Sequence, residues 1–471
     1  MEVIQIPLND LIKPIPNIRT RTFFIVNDRL DTEVLRKALD DLIRNHWRKL
    51  AARVVRGAKN GQLEYHLPKA FADDYVLFKW SSEDTDRPID KVVSSLKRPV
   101  ATDGIAFLPP MRDVDSHFRP ADWPFEQKDD PPNSPNLYVH VRTFTDSTVI
   151  TISWLHVFGD QLGLANMVKA WLGVVEGKEP PPLVGHDEQV LPHAKEVSDY
   201  PEEKQRRKGR MRVKRPFENF FVILGFIPEF VFQPKEDDYT VFFPLSIIES
   251  LRERWSKELT KKYGADPGLS DADIITAILT KFSRMYDKSP RTISLSQTVN
   301  LRGRIPQLQA PTRDGFLHNA LIYATARFRY DHSMPLGEIA YLNRKAVKES
   351  LEPDDIELGL AIAREMVRRG QVMHTCEPFE KSYSVTNWCG AWKGVDFGAA
   401  ATKDSVAEGK ESRNVEMLIL GQSGELKTPH RFHSTVMCKA DGGYWVDFST
   451  SVQGMNAVRE YVKKDPELTN L

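Results

Sequence analysis

The chain of 471 residues has little cysteine, no excess of charge of either sign and no long uninterrupted apolar run. Its three cysteines, Cys376, Cys389 and Cys438, show no CxxC spacing. That disfavours a disulfide framework and a zinc site, and reduced thiols in a cytoplasmic protein are the simplest expectation. Lysine plus arginine and aspartate plus glutamate both number 65, a balance that argues against a protein whose main task is to coat nucleic acid. No stretch reaches the roughly 18 apolar residues of a membrane-crossing helix. The nearest, 217–232, is broken by Glu218, Gly225, Pro228 and Glu229. The first residues lack the basic segment of a secretory signal. GxGxxG and GxxxxGK phosphate loops are missing as well.

What is present is a globular composition. A hydrophobic share of 41% beside a charged share of 28% fits a protein with a packed interior. At 471 residues the chain exceeds what one core usually serves. Two domains are therefore expected, 1–190 and 216–471, joined by a crossover linker at 191–215. Residues 22–30 read as a strand. Asp31 then suits a helix N-cap, with Leu35, Leu39, Leu42 and Ile43 along one helical face. VRGAKNGQLEYHL (55–67) has the pattern of a hairpin turning at Asn60-Gly61. Two alternating strands follow at 137–144 and 148–155. The second half mixes strands at 239–245, 291–304 and 321–330 with helices, one of them opening at Ser270 to Asp273, and turns to strands again toward its end. Without a regular βαβ rhythm, the class reads as mixed α/β. Residues 204–215 contain eight basic residues and no acid. A solvated linker is the plain expectation there; the sharper one is contact with an anionic partner, such as a ligand phosphate or a membrane surface met through 204–232.

The most specific chemistry lies in residues 147–175, STVITISWLHVFGDQLGLANMVKAWLGVV. An apolar strand stops at His156, Asp160 follows in an HxxxD spacing, and an amphipathic helix comes next. A neutral imidazole at a strand end can take a proton from a hydroxyl or an amine. Asp160 can cap the helix, hold the loop that carries His156 or meet an arginine. A metal pair is disfavoured, because no third ligand is evident and Gly159 spoils a helical ligand face.

Three ordered segments, SWLHVFGDQLG, VNLRGRIPQLQAPTRDGFLHNA (299–320) and VTNWCGAWKGVDFGAA (385–400), resemble the HxxxD, (D/N)xRxR…P…GN and DFGWG regions of BAHD-type acyl-CoA-dependent acyltransferases. The likeness is greatest to the fungal trichothecene-acetyltransferase-like members. ALDDLIRNHWRKLAARVVRGAKNGQLEYHL and DGGYWVDFSTSVQGMNAVRE extend it over nearly the whole chain. The resemblance implies two chloramphenicol acetyltransferase-like domains, each a mixed sheet flanked by helices, with the active site in a channel between them. It makes His156 the general base. Asp160 would be the aspartate that turns from substrate to an arginine, for which Arg302 or Arg304 is the best partner, since both share one strand parity. Asp396 matches the DFG aspartate, which stands beside the histidine among the family's active residues and which its structures tie to loop support. Thr386 and Trp388 resemble a Thr-x-Trp pair near the acyl centre, where an indole N–H could donate to an oxyanion. Two departures stand out: Ala399 and Ala400 replace Trp and Gly of DFGWG, and Gln161 replaces Gly of HxxxDG.

The implied activity is direct transfer of an acyl group, acetyl being favoured, from acyl-CoA to a hydroxyl of a small secondary metabolite. No metal or resident cofactor is implied, acyl-CoA is a co-substrate, and a monomer is expected. The alternatives are an amine acceptor and a non-catalytic ligand-binding relative of the same fold.

Overall fold

The computed structural model describes residues 1–58, 61–287, 289–402, 416–423 and 430–471. In chain order its strands are β1 (Glu2–Gln5), β2 (Arg19–Val26), β3 (Arg53–Arg56), β4 (Leu63–Leu67), β5 (Lys79–Asp84), β6 (Ala106–Leu108), β7 (Leu137–Thr143) and β8 (Thr148–Leu155). They continue with β9 (Glu236–Pro244), β10 (Arg291–Asn300), β11 (Leu321–Tyr330), β12 (Lys381–Asn387), β13 (Met417–Ser423), β14 (His433–Ala440) and β15 (Gly443–Ser451). The three sheets run β1-β4-β3, β13-β2-β8-β7-β5 and β11-β10-β12-β14-β15-β9-β6. β3 and β4 pair antiparallel as the hairpin pattern requires, while Asn60 of the expected turn lies outside the described residues.

In the five-stranded sheet, β2 and β8 are buried along their whole length. Strands covered on both faces read as long apolar runs, and the polar residues they do carry must be paired. Arg21 meets Asp115 at 2.7 Å and Arg19 meets Asp130 at 2.7 Å, while the Thr151 hydroxyl donates to the Phe118 carbonyl. Helix Gln161–Val175 covers one face, burying Leu164, Val168 and Trp171. Helix Thr32–Asp41 packs beside it and is capped by Asp31, which accepts from the amides of Glu33 and Val34.

The seven-stranded sheet has two unlike faces. Ile293, Leu295, Tyr383, Val385, Val436, Val446 and Phe448 point into a core closed by helices Leu245–Tyr263, Asp271–Ser283, Leu336–Ser350 and Val452–Lys464. The opposite parity on β10, β12 and β14 carries Ser296, Thr298, Asn300, Ser384, Thr386, His433 and Thr435. Strand alternation thus gives this sheet a greasy back and a polar front. The helix at Ser270 begins as its sequence suggests, with a capping box between Ser270 and Asp273.

Each large sheet ends in a strand from the other part of the chain. β6, from residues 106–108, closes the seven-stranded sheet against β9, and β13, from residues 417–423, closes the five-stranded sheet against β2. The basic run at 204–215 is solvated only in part. Lys204, Arg206, Arg207, Lys208 and Arg215 are exposed. Arg207 and Arg210 nonetheless bind Glu349, Arg210 also binds Asp355, and Arg212 is buried between Glu218 and Glu377. Lys214, buried too, donates to the Cys376 carbonyl. Of these acids Glu349, Asp355 and Glu377 are distant in sequence, which a local reading cannot reveal. No described helix is long and apolar enough to cross a membrane.

Candidate active site

β8 stops at Leu155, and the chain turns at His156, whose amide donates to the Ile18 carbonyl at 2.9 Å. The turn leads to Asp160, the N-cap of helix Gln161–Val175. Gly159 and Gly163 allow this turn to lie flat on residues 316–320, because a Cβ on either would overlap the Leu317 carbonyl. The Asp160 Oδ1 accepts from the Gly163 amide at 2.8 Å. Its Oδ2 accepts from Arg302 Nη1 at 2.9 Å and from the Ala320 amide at 3.0 Å. Arg302 spends its remaining donors on Asn300 Oδ1 and on the carbonyls of Phe316, Leu317 and His318. Both oxygens of Asp160 are therefore committed to holding the helix and the 316–320 segment together, and neither orients the His156 ring.

Arg304 is not brought to Asp160. The parity argument fails because β10 ends at Asn300, and a turn through Gly303, with φ of 76°, breaks the strand alternation between the two arginines. Burial and the neighbouring Arg344 lower the pKa of Arg304 instead.

His156 lines a cavity of about 320 Å³ between the end of β8 and the polar front of the seven-stranded sheet. Thr386 and Trp388 line it too, so sequence-distant residues named by the motifs meet around one space. Asp396 is outside this wall. Its Oδ1 accepts from the Gly398 amide at 2.9 Å, folding its own loop, while Phe397 packs on Phe24 at 5.5 Å and on Trp171. The aspartate of DFG thus supports a loop packed on β2 and helix Gln161–Val175, and it does not line the cavity. Gln161, the departure from HxxxDG, donates to the Thr22 hydroxyl at 2.9 Å and keeps its helix start seated on β2.

Sequence reasoning missed several residues of the cavity. His433, Ser384, Asn300 and Tyr323 line it from β14, β12, β10 and β11. Ser384 pairs with His433 and Thr386 with Thr435 in register. The signal that could have found Ser384 is the period-two run of hydroxyls in KSYSVTN, with His433 and Thr435 alternating likewise on the neighbouring strand. His433 is held between Thr435 Oγ1 at 3.2 Å and Ser384 Oγ at 3.4 Å. Burial drives its pKa down to about 4, with His430 pushing the same way. Burial, aided by Asp160, raises the Tyr323 hydroxyl well above its usual range.

A buried polar chain braces His156 from behind. Asn319 Nδ2 donates to the His156 carbonyl at 2.9 Å and to Asp10 Oδ1 at 2.7 Å. Asp10 Oδ2 lies 2.7 Å from His318 Nδ1, and His318 Nε2 lies 2.8 Å from Lys49 Nζ. Burial brings Lys49 down to about 8 and lowers His318 as well. A neutral His318 donating through Nδ1 and accepting through Nε2 satisfies both neighbours.

This geometry has relatives over most of its length. No family model matches the chain. Acetyltransferase adrJ of Penicillium roqueforti is 27% identical over 80% of this chain and 78% of its own. Acetyltransferase pyiB of Pyricularia grisea is 24% identical over 98% of this chain and 94% of its own. Transcriptional regulator calD of Penicillium decumbens is 26% identical, covering 89% and 87%. Among solved structures, F. sporotrichioides TRI101 complexed with coenzyme A and T-2 aligns with a TM-score of 0.67 over 98% of this chain and 99% of that one, at 14% identity. Vinorine synthase aligns with 0.58 over 97% and 92%, at 16% identity.

These acetyltransferase-named relatives and the shared fold support a likeness to the BAHD-like acyltransferase family. The mixed α/β, chloramphenicol acetyltransferase-like architecture expected of that family is the fold observed. The HxxxD turn, the 299–320 segment and the Thr386-x-Trp388 pair converge although they lie far apart in sequence.

Proposed function

We propose that the protein transfers an acyl group, acetyl being favoured, from acyl-CoA to a hydroxyl of a small secondary metabolite. The observation that carries this reading is His156 lining a cavity whose other walls supply hydroxyls, amides and an indole, with the ring's buried Nδ1 lacking a hydrogen-bond partner. The relatives named acetyltransferases, and the coenzyme A complex of TRI101, support acyl-CoA as co-substrate.

In this mechanism His156 takes the acceptor's proton as its oxygen attacks the thioester carbonyl. The C–O bond forms, the carbonyl oxygen becomes an oxyanion, and Trp388 with Thr386 donates to it. The intermediate collapses, the C–S bond breaks, and the imidazolium returns the proton to the departing thiolate. Positioned acid–base help of this kind is worth about 10²–10⁴-fold. Holding both substrates in one cavity adds the orientation term. Nothing in the sequence requires an acyl-enzyme or a resident cofactor.

The test is release of free thiol from acetyl-CoA with a panel of alcohols, comparing the wild-type protein with His156→Ala. Activity within a few-fold of wild type in the variant rejects His156 as the base. A second reading, a ligand-binding relative without turnover, draws on the regulator-named relative and on Ala399 and Ala400. Tight ligand binding with no thiol release across a broad panel would favour it.

A further inference from the structure

Helix Glu218–Phe232, ENFFVILGFIPEFVF, has its polarity reversed. Its two charges face inward: Glu218 binds Arg212 at 2.9 Å, and Glu229 binds Lys381 at 2.9 Å and Arg284 at 3.1 Å. Only Val222 and Gly225 are buried along it. Its outward side is apolar: Phe220, Ile223, Ile227, Val231 and Phe232 are exposed, the last at 82%. A surface helix of a globular protein does the opposite, burying its apolar stripe and showing charge to water. Isolated exposed hydrophobes are ordinary, but a contiguous patch of this kind marks a binding face.

Two neighbours extend the patch under strain. Phe217, at the helix start, and Phe379, packed on Phe221 at 5.7 Å, are 76% and 61% exposed. Both hold the left-handed backbone, with φ of 68° and 61°. That conformation is costly for bulky residues and persists where a particular arrangement is enforced. Here it keeps two phenyl rings in the open.

The charges around the helix choose the partner. Arg215 precedes it and Lys235 follows it; both are exposed and form no ion pair among the described residues. A second copy of the chain fits poorly, because an antiparallel helix pair sets Arg215 beside Lys235 and a parallel pair sets like residues together. A phospholipid surface suits both features: acyl chains accept the phenyl and isoleucyl side chains, and headgroup phosphates meet the two flanking cations. The basic run at 206–212 adds little, since its arginines are paired within the fold.

From this arrangement we infer that the helix docks the protein on a phospholipid surface, lying in the plane of the interface without crossing it. Phe226 and Phe230 pack on Phe432, and the flanking His430 and His433 line the cavity, so the docked face adjoins the cavity wall. The inference is independent of the acyl-transfer reading and is tested without it.

The experiment is co-sedimentation of the full chain with vesicles of phosphatidylcholine alone or mixed with phosphatidylserine. The wild-type protein is expected to pellet with both, more with the mixture. The triple variant Phe220→Asp, Ile223→Asp, Val231→Asp is expected to lose about tenfold or more of its partitioning at an unchanged melting temperature, since only exposed positions change. Arg215→Glu with Lys235→Glu removes the gain from phosphatidylserine and keeps binding to phosphatidylcholine. Wild-type protein that stays in the supernatant with both vesicles overturns the inference. So does a vesicle-free dimer in sedimentation velocity that the triple variant abolishes, which would assign the helix to a second copy.

Discussion

Two of the histidines that line the cavity, His433 and His156, are held in different ways. His433 sits in register with Ser384 on the polar front of the seven-stranded sheet, both ring nitrogens near hydroxyls, its pKa pressed down to about 4. It is held neutral and acts as a wall. His156 stands at the broken end of β8, its backbone clamped by Ile18 and Asn319 while its Nδ1 has no partner. The fold fixes the main chain of one histidine and the ring of the other. The proposed base is thus the histidine whose ring is not tied by hydrogen bonds at both nitrogens.

The largest test of this contrast is paired substitution. His156→Ala should lower kcat by about 10²–10⁴-fold, whereas His433→Gln should stay within roughly tenfold of wild type. Steady-state thiol release measures both, and the reverse ranking would break the comparison. Next in size is Asp160→Ala, which strands the buried Arg302 guanidinium. A loss of about 3–5 kcal/mol in urea unfolding is expected, with Asp160→Asn losing less because an amide oxygen can still cap the helix.

A smaller effect appears in pH. Because the folded pKa of His433 lies below the ordinary 6.5, the unfolded chain binds more protons between about pH 4 and 6.5, so His433 stabilises above that window and the benefit fades as pH falls through it. Wild-type stability relative to His433→Gln should therefore rise with pH across this range. The gain should be no more than roughly 2 kcal/mol, since the ring borders a cavity that admits water. Asp447, raised to about 6 by burial, works in the opposite sense in both proteins and cancels. The smallest effect is expected for Asn319→Ala, which removes the donor to the His156 carbonyl. It should cost about 1 kcal/mol, seen as a few-fold fall in kcat with KM held.

Much of the local structure was legible in the sequence because periodicity and caps are local. Asp31, Ser270 and the strand ending at His156 all sit where patterning puts them. The pairing of Asp160 with Arg302 needed the family resemblance to be anticipated, and the choice between Arg302 and Arg304 needed the end of β10, which no parity rule supplies. His433 escaped notice because a histidine in an alternating strand carries no motif. The chain from Lys49 through His318, Asp10 and Asn319 joins residues some three hundred positions apart, and only tertiary structure assembles it. The helix at 218–232 was visible as an apolar stretch, but its reversed orientation depends on Arg212, Arg284 and Lys381 drawing its two glutamates inward.

The exchange of end strands has a consequence for how this protein is made. β2 leaves the ribosome early, yet its partner β13 begins only at Met417. At typical synthesis rates of about 5–20 residues per second, the open side of β2 waits on the order of tens of seconds for its neighbour. Throughout that interval a strand of phenylalanine, isoleucine and valine offers unpaired amides to any other nascent chain. Expression yield should therefore depend on chaperone supply during translation more than on the stability of the finished molecule.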